Sequence, residues 1–458
     1  MQLLAYVAFM GLLAWFAMGL GRGRDHLLIF FAATAFLFYG FRATLFVAGM
    51  DTPEPGQFFV KDIPHTLAVT LGTFVVFLGA AAIAFRTWFS LDGLKLPVFR
   101  RDEPDPRRML RCTVALTALG SVVTFALLYH FGSPGEIVRA AKLSHGLAGL
   151  YVFKQFAALG AIVAAATVID ARRLRASRNI VTAGLVCMAA DCYYVYLWGT
   201  RTIAVISIAI VVIGWRRPQL VAAEQAGDAP RLAKPRRSVF RYIVAGLLVL
   251  IVAMALRATR EGTLNHGRDI AAENANIWRR MSLSLNATYL DASMLAVQDQ
   301  DRNYHYPRGA DFVSGAKSVV PGFIWHGKDT QTSGARFRHI YQPAIVNGWP
   351  VGAPTAWQLN FGPLGLLLGG YLSGMALAAL ARSRQRCATS GFNLAVSMVT
   401  ATVVLQMGLN PDTPQRVILW WVPLVIVGRL MGAPPSRQIT PSIIPSTRQV
   451  TARAAASV

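Results

Sequence analysis

The stretch GWPVGAPTAWQLNFGPLG (348–365) leads directly into LLLGGYLSGMALAALA (366–381), and together they decide the fold class. The second segment is apolar almost throughout, as a helix that crosses a membrane must be. The first is rich in Gly, Pro and Trp, so it departs from regular helix where the chain meets the bilayer. Irregular backbone is tolerated at membrane depth only where protein or a water-filled cavity shields it. We therefore expect a membrane protein with a shielded cavity at this point.

Individual residues of this Gly/Pro-rich stretch have expected roles. Gly352 and Gly362 would allow tight turns. Trp349 and Trp357 are expected at the membrane interface, where amphipathic rings collect. Asn360 is expected to make a polar contact at the rim of the cavity. The simpler alternative is a turn that begins a membrane helix and is anchored by interfacial aromatic residues.

Apolar segments recur along the whole chain. It has 458 residues, of which 54% are hydrophobic and only 15% are charged, far from the composition of a soluble domain. The first apolar segment has no basic region ahead of it and no small-residue cleavage site, so we interpret it as a retained span rather than a signal peptide. We expect an all-α polytopic membrane protein, a bundle of about eleven transmembrane helices near residues 3–20, 27–48, 65–88, 111–131, 148–170, 180–198, 202–215, 241–257, 361–381, 391–409 and 416–431.

The net charge of +23 follows the expected topology. With the C-terminus in the cytoplasm, 27 of the 45 Lys and Arg residues fall in internal segments, as the positive-inside rule requires. Short runs such as ARRLRASR (171–178) and KPRR (234–237) carry much of this charge. The charge therefore indicates a lipid bilayer as a partner and does not indicate nucleic-acid binding.

One long loop interrupts the short connections. We expect four regions: transmembrane helices 1–8 with short loops in 1–257, a large external loop in 258–360, helices 9–11 in 361–431 and a flexible cytoplasmic tail in 432–458. A loop of this length without a function is uncommon. Its segment 269–298 has helical spacing with Asp269 as N-cap, so we expect a partly helical cap over the outer face of the bundle.

The long loop carries charges that the positive-inside rule does not explain. Residues 257–355 contain eleven basic and eight acidic side chains, interleaved with Tyr and Trp. Guanidinium groups bind phosphate oxygens in bidentate fashion, and aromatic faces pack against sugar rings. The pattern favours an anionic head group joined to sugars. The alternative is that these side chains only anchor the protein to lipid phosphates.

Charged residues also lie at or near the outer ends of expected spans. Such charges are costly at membrane depth and face a cavity or a partner. One interpretation is an Arg42–Asp191 ion pair that only holds helices together. Arg201 instead lies in the tight external turn LWGTRTIAV (197–205), where it would point into whatever the bundle encloses, and Arg139 lies on the same side.

Motifs for metal-dependent or nucleophilic catalysis are missing from the sequence. It contains no Walker loop and no GxSxG, its histidines are scattered, and no DxD-like pair stands in an external loop near a span. None of the four cysteines lies in the long loop or has CxxC spacing, so neither a disulfide framework nor a zinc site is expected. We expect no metal and no cofactor. An enzyme built this way would have to neutralise a leaving diphosphate with cationic side chains.

Three patterns carry a family resemblance. RGADFVSGAKSVVPGFIWHGKD (308–329) combines a Gly-containing apolar run with Pro, an aromatic residue and Lys. The Gly/Pro-rich stretch returns to the membrane through Asn-Phe-Gly-x-x-Gly, and GTRTIAVISIAIVVI (199–213) places Gly-x-Arg ahead of a short helix. In order and placement they resemble the Wzy-type polymerases of the O-antigen ligase/polymerase superfamily. Ala356 departs from the Glu that the family often has, and His339 is followed by Ile340 rather than by the Asn, Ser or Gln of the related ligases.

The resemblance implies a GT-C-like, metal-independent glycosyltransferase. Such an enzyme transfers a growing glycan from undecaprenyl diphosphate to a sugar hydroxyl of a lipid-linked repeat unit, at the periplasmic face of a bacterial inner membrane, with a chain-length regulator as a further partner. On this resemblance the expected catalytic residues are Arg201, Arg268 and Arg336, with His339 or Asp311 as general base, and the expected substrate-binding residues are Arg308, Lys328, Arg338, Arg139, Arg42, Asn360 and Trp357. The alternatives are a ligase that moves a finished glycan, a transporter or flippase of a lipid-linked glycan, and a scaffold.

Overall fold

A computed structural model describes most of the apolar segments and several short helices of the long loop. The described residues are 1–18, 26–51, 53, 58–88, 96–133, 136, 154–197, 201–215, 288–299, 308–320, 325, 333–343, 348–387 and 390–432. Every regular element among them is helical, and a lone antiparallel bridge joins Pro104 to Gly432.

The helices fall into two sets along the chain. The first set comprises α1 (Gln2–Met18), α2 (His26–Ala35), the π-helical turn π1 (Phe36–Gly40), α3 (Phe41–Val47), α4 (Ile63–Trp88), α5 (Pro106–Phe131), α6 (Lys154–Arg173), α7 (Arg178–Leu197) and α8 (Arg201–Gly214). The second set comprises α9 (Thr288–Gln298), α10 (Ala310–Ser318), α11 (Ser333–Tyr341), α12 (Ala353–Phe361), α13 (Pro363–Gln385), α14 (Gly391–Val399), π2 (Thr400–Leu405), α15 (Thr413–Arg416), π3 (Val417–Trp421) and α16 (Val422–Leu430).

The chain is a helical multi-pass membrane protein. Six helical stretches of the described residues are long and apolar enough to cross a membrane: Leu27–Val47, Ile63–Trp88, Pro106–Phe131, Gln155–Arg173, Arg178–Leu197 and Pro363–Gln385. Shorter apolar helices form at Gln2–Met18, Thr202–Gly214 and Gly391–Leu405. The expected helical, polytopic class is thereby confirmed. The expected span at 241–257 lies outside the described residues, and the count of about eleven spans stays a prediction.

Small residues bring α4 and α13 into backbone contact. A Cβ atom on Gly370 would overlap the carbonyl oxygen of Phe77, and one on Gly374 would overlap the carbonyl oxygen of Ala81. Small residues spaced by four let membrane helices approach closely, so that van der Waals packing can hold them together in a lipid environment. The GlyGly-x-x-x-Gly pattern in the quoted membrane segment is thus explained by helix packing.

The length of α4 defines the two ends of the bundle. Its 26 residues span about 39 Å. Just before its first residue, the Lys61 N–H donates to Gln298 Oε1 at 2.8 Å, which places α9 at that end. Beyond its last residue, the Leu96 N–H donates to Ser383 Oγ at 3.3 Å, near the end of α13. The short helices of the long loop therefore gather at the end of α4 opposite residues 96–102.

The Gly/Pro-rich stretch is more regular than expected. It contains the helix α12, which is buried from Ala353 to Asn360 and is followed by Gly362 with φ of 66°, so the expected tight turn there is confirmed. Gly352 has an ordinary φ of −79°, and a Cβ atom there would instead collide with the Tyr39 hydroxyl. Trp349 and Trp357, expected at the membrane interface, are both buried within protein, and their depth in the membrane stays a prediction.

Candidate functional site

Three residues singled out in the sequence meet in a buried cluster. Asn360 Nδ2 donates to Asp311 Oδ2 at 2.9 Å, and Arg336 Nε lies 3.3 Å from Asp311 Oδ1. Arg336 also donates through Nη2 to Ser314 Oγ at 3.0 Å. We call Asp311, Ser314, Arg336 and Asn360 the Asp311 cluster. It joins α10, α11 and α12, whose side chains meet here.

Local backbone geometry positions the carboxylate of this cluster. Arg308 and Gly309 have positive φ angles of 48° and 88°, so the chain turns sharply into α10 and puts Asp311 in its first turn. A non-glycine residue in this region costs energy and is often found at functional sites. Asp311 is fully buried, whereas a quarter of the Arg336 side chain is exposed. The buried carboxylate therefore fixes a guanidinium at the edge of the cluster.

A second group of polar residues surrounds a small cavity, which we call the Arg416 cavity. Its volume is about 60 Å³, and its polar lining comes from Tyr289, Ser333, Trp349, Asn410, Asp412 and Arg416. A buried water requires about 10–15 Å³ of such space, so there is room for several waters or one group of phosphate size. The cavity adjoins the Asp311 cluster because α11 supplies both Ser333 and Arg336. Gly315 of α10 also packs directly against the Pro411 carbonyl.

Two donors in the cavity lining lack hydrogen-bond partners. Among the residues that the structure describes, the buried Ser333 Oγ and Trp349 Nε1 atoms have none. Both residues are only 4% exposed. An unmade hydrogen bond at a buried donor costs about 1–3 kcal/mol. Buried donors of this kind, facing a polar cavity, are expected to be satisfied by a ligand or by ordered water.

The remaining cavity walls are held in place by local contacts. Arg416 donates to Gln406 Oε1 and, at 3.3 Å, to Asp412 Oδ2. Asn410 Oδ1 accepts from the Asp412 N–H at 3.0 Å, which leaves the Asn410 amide group as a donor. Burial raises the pKa of Tyr289, so its hydroxyl stays protonated and donates to Gln406 at 3.4 Å. The cavity is thus rich in donors, with the Asp412 carboxylate as an acceptor.

Arg42 forms a buried ion cluster at the same end of the bundle. It donates to both carboxylate oxygens of Asp291, at 2.6 and 2.7 Å, and to Asp51 at 2.8 Å. This arrangement fastens α9 to α3. The Arg42–Asp191 interpretation was wrong: Asp191 accepts a hydrogen bond from Thr117 at 2.7 Å.

The other expected site residues have varied positions. Trp357 donates through Nε1 to the Leu409 carbonyl at 2.7 Å. Arg338 lies 5.8 Å from the Trp349 ring centroid and donates to Gln342 at 2.9 Å. His339 and Arg308 are exposed. Arg201 begins α8, and its side chain is outside the described part of the structure, as are Arg139, Arg268 and Lys328 and the proposed N-cap Asp269.

The sequence interpretation missed the segment LNPDTPQR (409–416). It supplies Asn410, Asp412 and Arg416 to the cavity. The available signal is a run of polar and charged residues between two apolar segments. Among the described residues, no group of three or more His, Cys, Asp or Glu side chains is placed to hold a metal ion.

These features define a helical multi-pass membrane protein with charged and polar groups buried at one end of its bundle. No protein-family model, curated protein or solved structure matches the chain. The contacts at the Asp311 cluster and the Arg416 cavity therefore carry the functional argument.

Proposed function

We propose that the chain is a polysaccharide polymerase, a metal-independent glycosyltransferase of a bacterial inner membrane. It would move a growing glycan from undecaprenyl diphosphate onto a lipid-linked repeat unit at the periplasmic face. In this proposal about eleven transmembrane helices carry a cap formed by 258–360, and a chain-length regulator acts beside it. The acceptor hydroxyl oxygen attacks the anomeric carbon, the bond from that carbon to the diphosphate oxygen breaks, undecaprenyl diphosphate leaves, and the hydroxyl proton passes to a base.

The observation that carries the proposal is the pair of unpartnered donors beside the partly exposed guanidinium of Arg416. A departing diphosphate develops negative charge on its oxygens, and preorganised donors in a site shielded from water stabilise such charge strongly. Trp349 Nε1, Ser333 Oγ and the Arg416 guanidinium all donate and all line the same cavity. Arg336, paired with Asp311 in the adjoining cluster, would add a second cation.

The carboxylates have different surroundings, which bears on the general base. Both oxygens of Asp311 lie against cluster donors, so its role in the proposal is to orient Arg336. Asp412 lines the cavity itself and is partly exposed. A general base must lie within hydrogen-bond reach of the proton that it accepts. We therefore assign the base to Asp412 in preference to Asp311 or the exposed His339.

A matched pair of tryptophan variants tests the role of the cavity. Trp349→Phe and Trp357→Phe both replace a buried indole with a smaller ring, so they lose similar packing. Trp349→Phe also removes an N–H that has no partner in the described structure, so it should destabilise the protein less than Trp357→Phe. One hydrogen bond to a charged group is worth about 1.5–3 kcal/mol, which corresponds to a roughly 10- to 100-fold loss of chain extension. Trp357→Phe removes an N–H that is bonded to Leu409, so it should lower stability and leave the rate of extension per folded molecule unchanged.

The assay is complementation of a deletion strain, with glycan length read on a gel and protein abundance measured in membranes. Single repeat units on the surface of the deletion strain would support a polymerase. Long lipid-linked chains that accumulate would instead indicate a ligase, and units trapped inside would indicate a flippase. Wild-type glycan length in both Trp349→Phe and Arg416→Gln would refute the proposed site.

A further inference from the structure

A second cavity of the described structure, larger than the Arg416 cavity, lies far from it. It has a volume of about 280 Å³ and is formed by residues 97–102 and the end of α16. Because α4 is about 39 Å long and residues 96–102 follow its far end, this second cavity opens at the opposite end of the bundle. We call it the Arg100 cavity.

One wall of the Arg100 cavity is cationic. Arg100, Arg101 and Arg429 line it together with a single acid, Asp102, so its charged lining has a positive excess. The Arg100 backbone is fixed by Asn393, whose Oδ1 accepts from the Arg100 N–H at 2.9 Å and whose Nδ2 donates to the Arg100 carbonyl at 2.7 Å. The Arg100 Nε atom is buried and has no hydrogen-bond partner within the described ranges. The wall thus holds a positioned guanidinium with an unsatisfied donor.

Two glycines, Gly428 and Gly432, lie beside the Arg100 side chain. A Cβ atom on Gly432 would lie 3.3 Å from Arg100 Nη2, and one on Gly428 would lie 3.7 Å from Arg100 Cδ. The absence of side chains at these two positions keeps the space beside the guanidinium open. Gly428 itself lines the cavity.

An apolar wall completes the cavity, and an exposed apolar stripe lies on the same helical segment. Leu424 and Val425 of α16, with Pro97 and Val98, form this wall. On the surface of π3 and α16, Ile418, Val422, Ile426 and Leu430 recur every four residues and are 41%, 48%, 53% and 61% exposed. Residues spaced by four share one face of a helix. In a membrane protein such an apolar face contacts lipid chains.

We propose that the Arg100 cavity binds the head group of an acidic phospholipid. The cationic wall would hold the phosphodiester through charge-assisted hydrogen bonds, and the apolar wall would contact the first methylene groups of the acyl chains. A free phosphate would use only the cationic part of this lining. A lining that is both cationic and apolar therefore favours a lipid. This proposal is independent of the glycosyltransferase proposal, since the two cavities are at opposite ends.

Binding can be measured on the purified full-length protein in detergent. The probes are phosphatidylglycerol and phosphatidylcholine with identical acyl chains, and glycerol 3-phosphate as the soluble phosphate. The dissociation constant of each is measured by native mass spectrometry, and the unfolding midpoint gives an independent readout. The expected result is tighter binding of phosphatidylglycerol, with a rise in the unfolding midpoint, and little competition from glycerol 3-phosphate.

Two double variants, each of which removes two positive charges, distinguish binding in the cavity from attraction by general surface charge. Arg100→Gln/Arg429→Gln should weaken phosphatidylglycerol binding at least tenfold, the effect of losing one or two charge-assisted hydrogen bonds. Arg86→Gln/Arg111→Gln removes two exposed arginines at the same end of the bundle and should leave binding unchanged. If the double cavity variant does not fold, the exposed Arg429 alone is changed to Gln, with Arg86→Gln as its control.

Three results would overturn the proposal. One is equal affinity for the two lipids, and another is equal loss of affinity in the cavity and control variants. The third is competition by glycerol 3-phosphate as strong as that by the lipid, which would assign the cavity to a soluble phosphate.

Discussion

Removal of the Arg42 charge should destabilise the protein more than removal of a carboxylate that it binds. Arg42 and Asp291 are fully buried, and Arg42 donates two described hydrogen bonds to Asp291 and one to Asp51. Arg42→Met would leave two buried carboxylates without their shared cation. Asp291→Asn would leave Arg42 bound to Asp51 and would retain one acceptor oxygen.

The magnitudes follow from these contacts. Loss of one partner of a buried pair costs about 3–5 kcal/mol, so we expect a fall of at least that size in the free energy of unfolding for Arg42→Met. Asp291→Asn places an amide N–H against a guanidinium donor, so we expect the free energy of unfolding to fall by about 1–3 kcal/mol. The double variant Arg42→Met/Asp291→Leu removes charges of both signs and should be more stable than Arg42→Met alone.

The assay is reversible unfolding of the purified protein in mixed micelles, with a rising fraction of denaturing detergent. Asp191→Asn serves as a control outside the cluster, because Asp191 accepts a single described hydrogen bond, from Thr117. Its free energy of unfolding should fall by about 1 kcal/mol. If Arg42→Met matches the wild type, or is no less stable than Asp291→Asn, then the ion cluster does not hold α9 on the bundle and the reasoning fails.

Two further predictions concern backbone contacts. Gly352→Ala should lower the free energy of unfolding by about 1–3 kcal/mol, because the new Cβ atom would collide with the Tyr39 hydroxyl. Tyr39→Phe in the same chain removes that hydroxyl and should restore part of the loss. Asp170→Asn should lower the free energy of unfolding by about 1–3 kcal/mol in the same assay. The N–H groups of Gly391 and Phe392 donate to different oxygens of Asp170, at 2.8 and 3.0 Å, and the variant replaces one of these oxygens with an NH₂ group. Wild-type stability for Gly352→Ala would contradict the first, and wild-type stability for Asp170→Asn the second.

The apolar segments could be placed from the sequence because they obey one strong constraint. A backbone inside the membrane must satisfy its own hydrogen bonds, so a long apolar run becomes a helix. The run near 65–88 is the helix Ile63–Trp88, and the run near 180–198 is Arg178–Leu197. The π-helical turns could not be placed this way, since hydropathy does not distinguish one helical hydrogen-bond pattern from another. Thr400–Leu405 is an example within a correctly expected apolar helix.

Contacts between distant polar residues were harder to predict. Asp311, Arg336 and Asn360 were each selected from the sequence, but nothing in their spacing indicates that they touch. Arg42 was paired with the acid expected in another membrane segment, Asp191, whereas its partner Asp291 lies 249 residues away in a short helix. The free-energy cost of burying a charged side chain indicates that the side chain needs a partner. It does not reveal which partner, because that depends on how the loop folds back.

The pairing of charges at the α9 end bears on how the Arg416 cavity would bind an anion. Arg42, Arg336 and Arg416 each lie against at least one carboxylate. Their combined charge is therefore largely cancelled before a ligand arrives, and long-range attraction cannot be the main source of affinity. The remaining source of affinity is short-range hydrogen bonding from buried donors that have no other partner among the described residues, such as Trp349 Nε1 and Ser333 Oγ. In the proposed polymerase, a site of this kind would recognise an oxyanion by geometry, and the same property would let it stabilise charge that appears only as the bond to the diphosphate breaks.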